Sequence, residues 1–171
     1  MATPSETGAS ESGTSESGTS ESGMVAAAPL PKIDSVTAPF WEATLRGELR
    51  MQACASCGSL RFPPRPMCPS CQSLEHEWRL MSGRGTVWSF VVPHPPLLPA
   101  FMPLAPFNVV VVELDEDSTL RMVGNLVASP DGPINEVDPG TIAIGQRVRV
   151  VFQRVADDVA LPRWIADGDA S

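Results

Sequence analysis

Four cysteines are the residues of this chain best suited to chemistry, and all lie within a stretch of eighteen residues. They form two Cys-x-x-Cys pairs: Cys54, Cys57, Cys68 and Cys71. Two such pairs on facing turns present four soft thiolates at the tetrahedral angles that zinc prefers. Gly58, directly after the first pair, suits the tight turn that this geometry requires. The spacing therefore predicts a structural zinc ion held by the four cysteines.

Other readings of the four cysteines differ in what they require. A rubredoxin-like iron centre uses the same four thiolates, so the spacing leaves zinc and iron open. Two disulfides require an oxidising compartment, and the N-terminus lacks the basic start and apolar stretch of a secretory signal. A catalytic zinc requires an open coordination position, which four cysteines do not leave. We therefore expect a structural metal in a cytoplasmic protein.

The other titratable side chains form no catalytic constellation in the sequence. The chain has two histidines and no tyrosine. His76 follows the cysteines and His94 lies in a proline-rich stretch, and neither has a nucleophile beside it. The "GRG" at 83–85 lacks the length and the lysine of a phosphate-binding loop. The inventory predicts a binding module without catalytic residues of its own.

The net charge of −8 is unevenly distributed along the chain. Residues 46–84 carry six Arg against three Glu, whereas residues 85–171 carry five Arg against eleven acids. Because an acidic domain releases few counterions on a polyanion, we expect no nucleic-acid binding. Arg61 and Arg65 flank the cysteines, where they either offset thiolate charge or contact phosphate. No apolar run approaches the ~20 residues of a membrane span.

The organisation along the chain predicts four segments. Residues 1–35 form a low-complexity tail and linker, with Gly-Ser-Thr-Glu repeats that cannot bury enough apolar surface to order. Residues 36–48 place Phe40 and Trp41 at helical spacing and predict a short helix. Residues 49–82 form the zinc ribbon and residues 83–168 form an OB-fold domain.

The second half of the chain changes to a period of two, which is typical of strands. We predict strands at 85–92, 107–114, 119–127, 146–155 and 163–166. Five short strands without helices between them favour a small OB-like barrel, with a sandwich as the competing fold. The fold class is therefore mainly β, with an N-terminal helix and a four-cysteine ribbon. We expect Trp88 and Phe90 to lie in the core, and the proline-rich residues 91–107 to form a stiff surface loop.

Several stretches together resemble the DUF35 family: "FWEATLRGELRMQACASCGSLRFPPRPMCPSC", "GRGTVWSFVV", "HPPLLPAF" and "GQRVRVVFQRV". The resemblance covers about residues 36–166. It implies a rubredoxin-like zinc ribbon and an OB-fold domain, with the four cysteines as metal ligands. It further implies an acyl-CoA-associated accessory subunit that pairs with a thiolase-superfamily enzyme, such as an acyltransferase or a retro-aldolase of steroid side chains. Proteins of this kind also occur fused to hydratase domains. The partner would bind most of the CoA thioester and carry out the chemistry.

Candidate contacts with the partner or with acyl-CoA lie in two regions, the cysteine segment and the proline-rich loop. They are Arg61, Arg65, His94, Phe101, Met102, Leu104 and Phe107. The apolar side chains of the proline-rich loop either protrude as a docking surface or fold back as a lid on the barrel. A stand-alone protein that binds acyl-CoA or single-stranded nucleic acid is the alternative function. The sequence leaves the acyl group of the substrate open.

Overall fold

The computed structural model describes residues 28–168, and the structural statements below concern that range. Most of the predicted disordered tail, residues 1–27, lies outside the described residues, and residues 28–34 contain no helix or strand. Helix α1 (Ala38–Leu45) carries a proline in its first turn, where no backbone N–H is required. It ends before Gly47, whose φ of +75° no longer fits a helix, so it is shorter than the expected 36–48.

The ribbon contains a three-stranded antiparallel sheet: β1 (Arg50–Cys54), β2 (Leu60–Arg61) and β3 (His76–Leu80), in the order β2-β1-β3. Gln52 lies at its centre, opposite Arg61 on one side and Trp78 on the other. Both faces of β1 are covered, since Met51 and Gln52 are buried although they point in opposite directions. The sheet holds both cysteine pairs at one end.

The second sheet has five antiparallel strands: β4 (Arg84–Val91), β5 (Val109–Leu114), β6 (Asp117–Gly124), β7 (Arg147–Ala156) and β8 (Val159–Ala166). Their order is β6-β5-β4-β7-β8. The sheet curls until Leu126, just after β6, pairs in parallel with Trp164 of β8. The Val127 N–H donates to the Trp164 carbonyl at 2.8 Å, and the Trp164 N–H donates to the Asn125 carbonyl at 2.9 Å. This closure confirms the predicted OB-like architecture.

A β-bulge in β4 changes which aromatic residue faces the core. Val87 pairs with Val112 and Ser89 with Val111, so Trp88 has no partner of its own on β5. Its side chain is 49% exposed, with the Arg121 guanidinium 3.9 Å from the ring centroid. The prediction of a buried Trp88 was therefore wrong, because strict alternation does not survive an extra residue. Phe90 is partly buried and packs against the core as predicted.

The helix, the ribbon and the barrel share one hydrophobic core. Phe40 of α1, Met51 of β1 and Met81 after β3 pack in the same cluster as Val112 and Trp164 of the barrel. Met51, Val112 and Trp164 are fully buried. The ribbon therefore covers one face of the barrel and is not a separate lobe. None of the helices in residues 28–168 is long and apolar enough to cross a membrane.

Candidate functional site

Two similar turns hold the four cysteines, with Cys54 at the end of β1 and Cys68 at the start of the second turn. In each turn, the residue after the second cysteine has a positive φ: +74° at Gly58 and +63° at Gln72. The N–H of Gly58 donates to the Cys54 carbonyl at 2.9 Å, and the N–H of Gln72 donates to the Cys68 carbonyl at 2.9 Å. The same local backbone therefore forms twice.

Serine hydroxyls connect the two turns. The segments 54–59 and 68–73 share the pattern Cys-x-Ser-Cys-x-Ser. The Ser56 hydroxyl donates to Ser73 at 2.9 Å, and the Ser59 hydroxyl donates to Ser70 at 3.4 Å. Each third-position serine thus pairs with the sixth-position serine of the other turn. The turns are related by an approximate two-fold and hold one another in register.

The four sulfur atoms fit the ligand shell of a tetrahedral metal ion. All lie within 4.8 Å of one another. The sulfurs of Cys54 and Cys71 are 3.5 Å apart, and those of Cys57 and Cys68 are 3.7 Å apart. Zinc–sulfur bonds of about 2.3 Å at tetrahedral angles place sulfurs about 3.8 Å apart. The donor set and its dimensions therefore suit zinc.

Backbone N–H groups favour the thiolate form of the cysteines, but neighbouring sulfurs disfavour a second negative charge so close by. The backbone N–H groups of Cys57 and Ser56 lower the pKa of Cys54 to about 6, because they stabilise its thiolate. The Ser73 N–H also lowers the pKa of Cys71, but the nearby sulfurs of Cys54 and Cys57 outweigh it and raise that pKa to about 12. A bound cation would remove this conflict by neutralising all four thiolates.

The two arginines near the cysteines differ in accessibility. Arg61 is 5% exposed, and its Nε donates to Gln52 Oε1 at 2.8 Å. The backbone N–H of Arg65 donates to the same oxygen at 2.8 Å, while the Arg65 side chain is exposed. The terminal nitrogens of Arg61 are buried without a hydrogen-bond partner in the described chain. In this conformation Arg61 lies inside the ribbon and is not available for a surface contact.

The proline-rich loop folds back on the barrel over most of its apolar length. Leu104 and Phe107 are buried together with Ile134, and Phe101 packs against them with its ring centroid 5.9 Å from that of Phe107. Of the two arrangements that the sequence left open, these three loop side chains adopt the lid. Met102 is exposed, as is His94 at the other end of the loop. Among the described residues, neither Arg61 nor Arg65 belongs to the cluster that Leu104 and Phe107 form.

A cavity of about 440 Å³ lies between this loop and the barrel. Its apolar wall includes Leu97, Phe101, Leu104, Val109, Val123 and Leu161. Three polar side chains also line it: Asn125, Gln153 and Arg163. A second cavity of about 270 Å³, between α1 and the barrel, shares Val123, Gly124, Leu161 and Arg163 with the first.

Sequence reasoning did not single out Arg163. Its strand, "VALPRWIA", contains an arginine directly before a tryptophan, and alternation places these two side chains on opposite faces. Trp164 is fully buried in the core, so Arg163 must point away from it, towards the cavity. The signal was a charged residue within an otherwise apolar strand.

Comparisons with known proteins agree with this architecture. Residues 41–77 match the rubredoxin-like zinc ribbon domain of ChsH2, and residues 78–153 match its C-terminal OB-fold domain. A DUF35 domain-containing scaffold protein of Methanocaldococcus jannaschii is 33% identical over 107 residues, which cover 61% of this chain and 67% of that protein. Fold and site thus define a protein with a zinc ribbon and an OB-fold domain. The chain belongs to the DUF35/ChsH2 family.

Two further relatives bear names that concern CoA esters or an aldolase. The 3-oxo-4,17-pregnadiene-20-carboxyl-CoA hydratase alpha subunit of Mycobacterium tuberculosis is 39% identical over 134 residues, which cover 78% of this chain. The chain spans 37% of that subunit's length. In the solved Ltp2-ChsH2(DUF35) aldolase, one chain matches with a TM-score of 0.67 and 34% identity, over 80% of this chain and 98% of that chain.

Proposed function

We propose that this chain is an accessory subunit of a thiolase-superfamily enzyme that acts on CoA thioesters, by acyl transfer or by retro-aldol cleavage as in steroid side-chain degradation. The observation that carries the proposal is the match to a chain of the Ltp2-ChsH2(DUF35) aldolase, since 98% of that chain is covered at 34% identity. The partner supplies the reacting groups and most of the CoA-binding surface, and this chain stabilises it.

The four cysteines have a structural role in this proposal. Cys54, Cys57, Cys68 and Cys71 would hold a zinc ion, and their sulfur positions suit its ligand shell. The ion would supply a cross-link between the two turns and neutralise the thiolates. Four cysteine ligands leave no open position for a substrate or a reactive water. The ribbon therefore contributes stability and shape to the complex.

Exposed groups on two surfaces are the candidate contacts with the partner. Met102 and His94 are exposed on the proline-rich loop, and Arg65 is exposed beside the second cysteine turn. Methionine and arginine are enriched at protein interfaces, and the prolines limit the entropy that the loop loses on docking. The loop and the turn would then contact the partner while Leu104 and Phe107 keep the loop anchored to the barrel.

Affinity capture with the full chain, followed by reconstitution of the purified components, tests the proposal. We expect a thiolase-superfamily protein to be retained in near-stoichiometric amount, and CoA-thioester cleavage or acyl transfer to require both proteins. A Cys68→Ser bait serves as the control, because a disrupted ribbon should retain far less of the partner. Turnover by this chain alone, or no retained thiolase-superfamily protein, would contradict the proposal.

A hydratase assembly is the second candidate, supported by the 39% identity to a hydratase alpha subunit. In that case the partner would carry a hydratase fold, and the complex would add water to an enoyl-CoA. The same capture separates the candidates, since it would return a hydratase in place of a thiolase-superfamily protein. The reconstituted complex would then hydrate an enoyl-CoA and would not cleave a carbon–carbon bond.

A further inference from the structure

The cavity between the proline-rich loop and the barrel has the size and lining of a small-molecule site. Its volume of about 440 Å³ is within the range of about 300–1,000 Å³ that is typical of ligand pockets. Leu97, Phe101 and Leu104 line it from the loop, and Val109 and Leu161 line it from the barrel. Such a surface favours an apolar molecule and offers little to a strongly hydrated one.

Among the described residues that line this apolar cavity, only Arg163 carries a positive charge. Its Nε donates to Gln153 Oε1 at 3.1 Å, and one terminal nitrogen donates to Asn125 Oδ1. Within residues 28–168 no carboxylate lies within ion-pair distance of Arg163. Burial lowers the pKa of its guanidinium to about 10. A charge that is partly removed from water without a counter-charge is unfavourable, so an anion in the cavity would be stabilised.

The two amides beside Arg163 are fixed by contacts of their own. Asn125 donates its side-chain N–H to the Asn108 carbonyl at 2.5 Å, and Gln153 donates its side-chain N–H to the Gly132 carbonyl at 3.4 Å. Their carbonyl oxygens therefore face Arg163 and hold it in place. The second terminal nitrogen of Arg163 has no protein acceptor among the described residues and is not sealed in the core. It is free to donate to a ligand.

We propose that this cavity binds an apolar molecule with one free carboxylate, which pairs with Arg163 while the apolar part lies against Leu97, Phe101 and Leu104. Arg163 is the one cation that lines the cavity among residues 28–168, so the several phosphates of a nucleotide would lack partners there. The inference does not depend on the proposed function, because the cavity and its charge belong to this chain alone.

Calorimetric titration of the full chain with decanoate, decanol and decanoyl-CoA tests this site. We expect decanoate to bind about tenfold or more tightly than decanol, as a charge-assisted hydrogen bond predicts. Arg163→Met should remove most of this preference and leave decanol binding nearly unchanged. Equal binding of decanoate and decanol, no binding of decanoate, or tighter binding of decanoyl-CoA than of decanoate would each overturn the proposal.

A second pair of variants avoids any change to the half-buried Arg163. Val123 lines the cavity and is 66% exposed, whereas Val91 is 59% exposed and does not line it. Val123→Glu places a carboxylate at the cavity, where it repels the ligand or pairs with Arg163, so decanoate affinity should fall about tenfold. Val91→Glu carries the same charge on the surface and should leave the affinity unchanged. Equal effects of the two variants would show that the cavity is not the site.

Discussion

At the residue scale, the two cysteine turns place different residues in the same backbone conformation. Gly58 and Gln72 both have a left-handed φ, and each N–H donates to the carbonyl of the first cysteine in its turn, Cys54 or Cys68. Glycine adopts this conformation without steric cost, whereas a residue with a Cβ does not. The first turn could therefore be predicted from its glycine, and the second shows that the four-cysteine cluster tolerates some backbone strain.

Because Gly58 and Gln72 share one backbone conformation, opposite substitutions at the two positions can be compared directly. Gln72→Gly should raise the free energy of unfolding of the metal-loaded protein by up to about 1 kcal/mol, because it removes the left-handed strain. Gly58→Ala should lower it by about 1 kcal/mol, since a Cβ there meets no neighbour and only the φ is unfavourable. Chemical denaturation of both variants measures the two changes. Destabilisation by Gln72→Gly would show that the glutamine side chain compensates for the strain.

A pH dependence is expected from Asp115 and Arg147. Arg147 donates to both carboxylate oxygens, and this lowers the pKa of Asp115 below its usual 3.8. Because the pKa of Asp115 is lower in the folded than in the unfolded protein, the ion pair stabilises the fold at pH values above the unfolded pKa. This stabilisation is lost as the pH falls through the folded-state pKa. Because both side chains are partly exposed, Asp115→Asn should cost less than about 1 kcal/mol near pH 7.

The stability difference between Asp115→Asn and the wild type should vanish at a pH well below 3.8, where the wild-type carboxyl is protonated. Thermal unfolding of both proteins across this pH range measures it. Asp117→Asn is a suitable control, since Asp117 makes no ion pair within the described residues. An unchanged difference at low pH would mean that the effect does not come from the charge.

Residue types and local spacing were sufficient to predict the cysteine cluster, because its four ligands lie within eighteen residues. They were not sufficient for Arg163, which acts with Asn125, a residue 38 positions earlier in the chain. Its half-buried environment arises only when β6 and β8 meet at the barrel closure. A residue whose environment is created by tertiary contacts gives little signal in a single sequence.

At the element scale, the bulge in β4 determines what the barrel buries. Val87 is 1% exposed, whereas the larger Trp88 next to it is on the outside. Alternation predicts the strand itself well, but an inserted residue reverses the side of every residue after it. All five predicted barrel strands are present, with bounds that differ by up to four residues, whereas the predicted face of Trp88 was wrong.

At the bulge, truncation of the smaller side chain, Val87, should therefore destabilise the protein more than truncation of the larger one, Trp88. Val87→Ala should destabilise the protein by about 2 kcal/mol through lost burial and a cavity. Trp88→Ala should cost less than about 1 kcal/mol, since it removes an exposed contact with Arg121. Urea denaturation of the two variants compares them. A larger loss for Trp88→Ala would indicate that its ring stabilises the bulge.

Strands with unusual composition were the hardest to predict. β3 (His76–Leu80) is mostly exposed and polar, so it shows no alternation, and β8 extends four residues further than predicted. Pro162 lies within β8 opposite Phe152 of β7. Proline normally argues against a strand, but β8 has a full neighbour on one side only, and an edge tolerates a missing N–H.

At the scale of the whole molecule, the ribbon and the barrel are distinct in sequence but continuous in their packing. The two matched family regions meet between residues 77 and 78, inside β3. Phe40 and Met51 nevertheless pack in the same core as Val112 and Trp164. Loss of order in the ribbon would uncover apolar side chains of the barrel, so the stabilities of the two parts are coupled.

Removal of one metal ligand should thus affect both parts. Cys68→Ser should lower the metal content and increase amide hydrogen exchange not only in β1 and β3 but also in β7 and β8. Metal affinity at such a site is folding free energy, and the shared core transmits its loss. Ser70→Ala is the control, because it removes the 3.4 Å hydrogen bond from Ser59 between the turns but removes none of the four cysteines. Unchanged exchange in β8 would show that the barrel is independently stable.

The shared core also has a consequence for biosynthesis. The cysteines and the apolar residues of α1 and β1 precede the barrel in the chain, so they leave the ribosome first. If the ribbon binds a metal ion at this stage, it would present Phe40, Met51 and Met81 as an ordered apolar surface on which the later strands can pack. Metal supply during translation, and not only in the finished protein, would then determine how much of the chain reaches its native state.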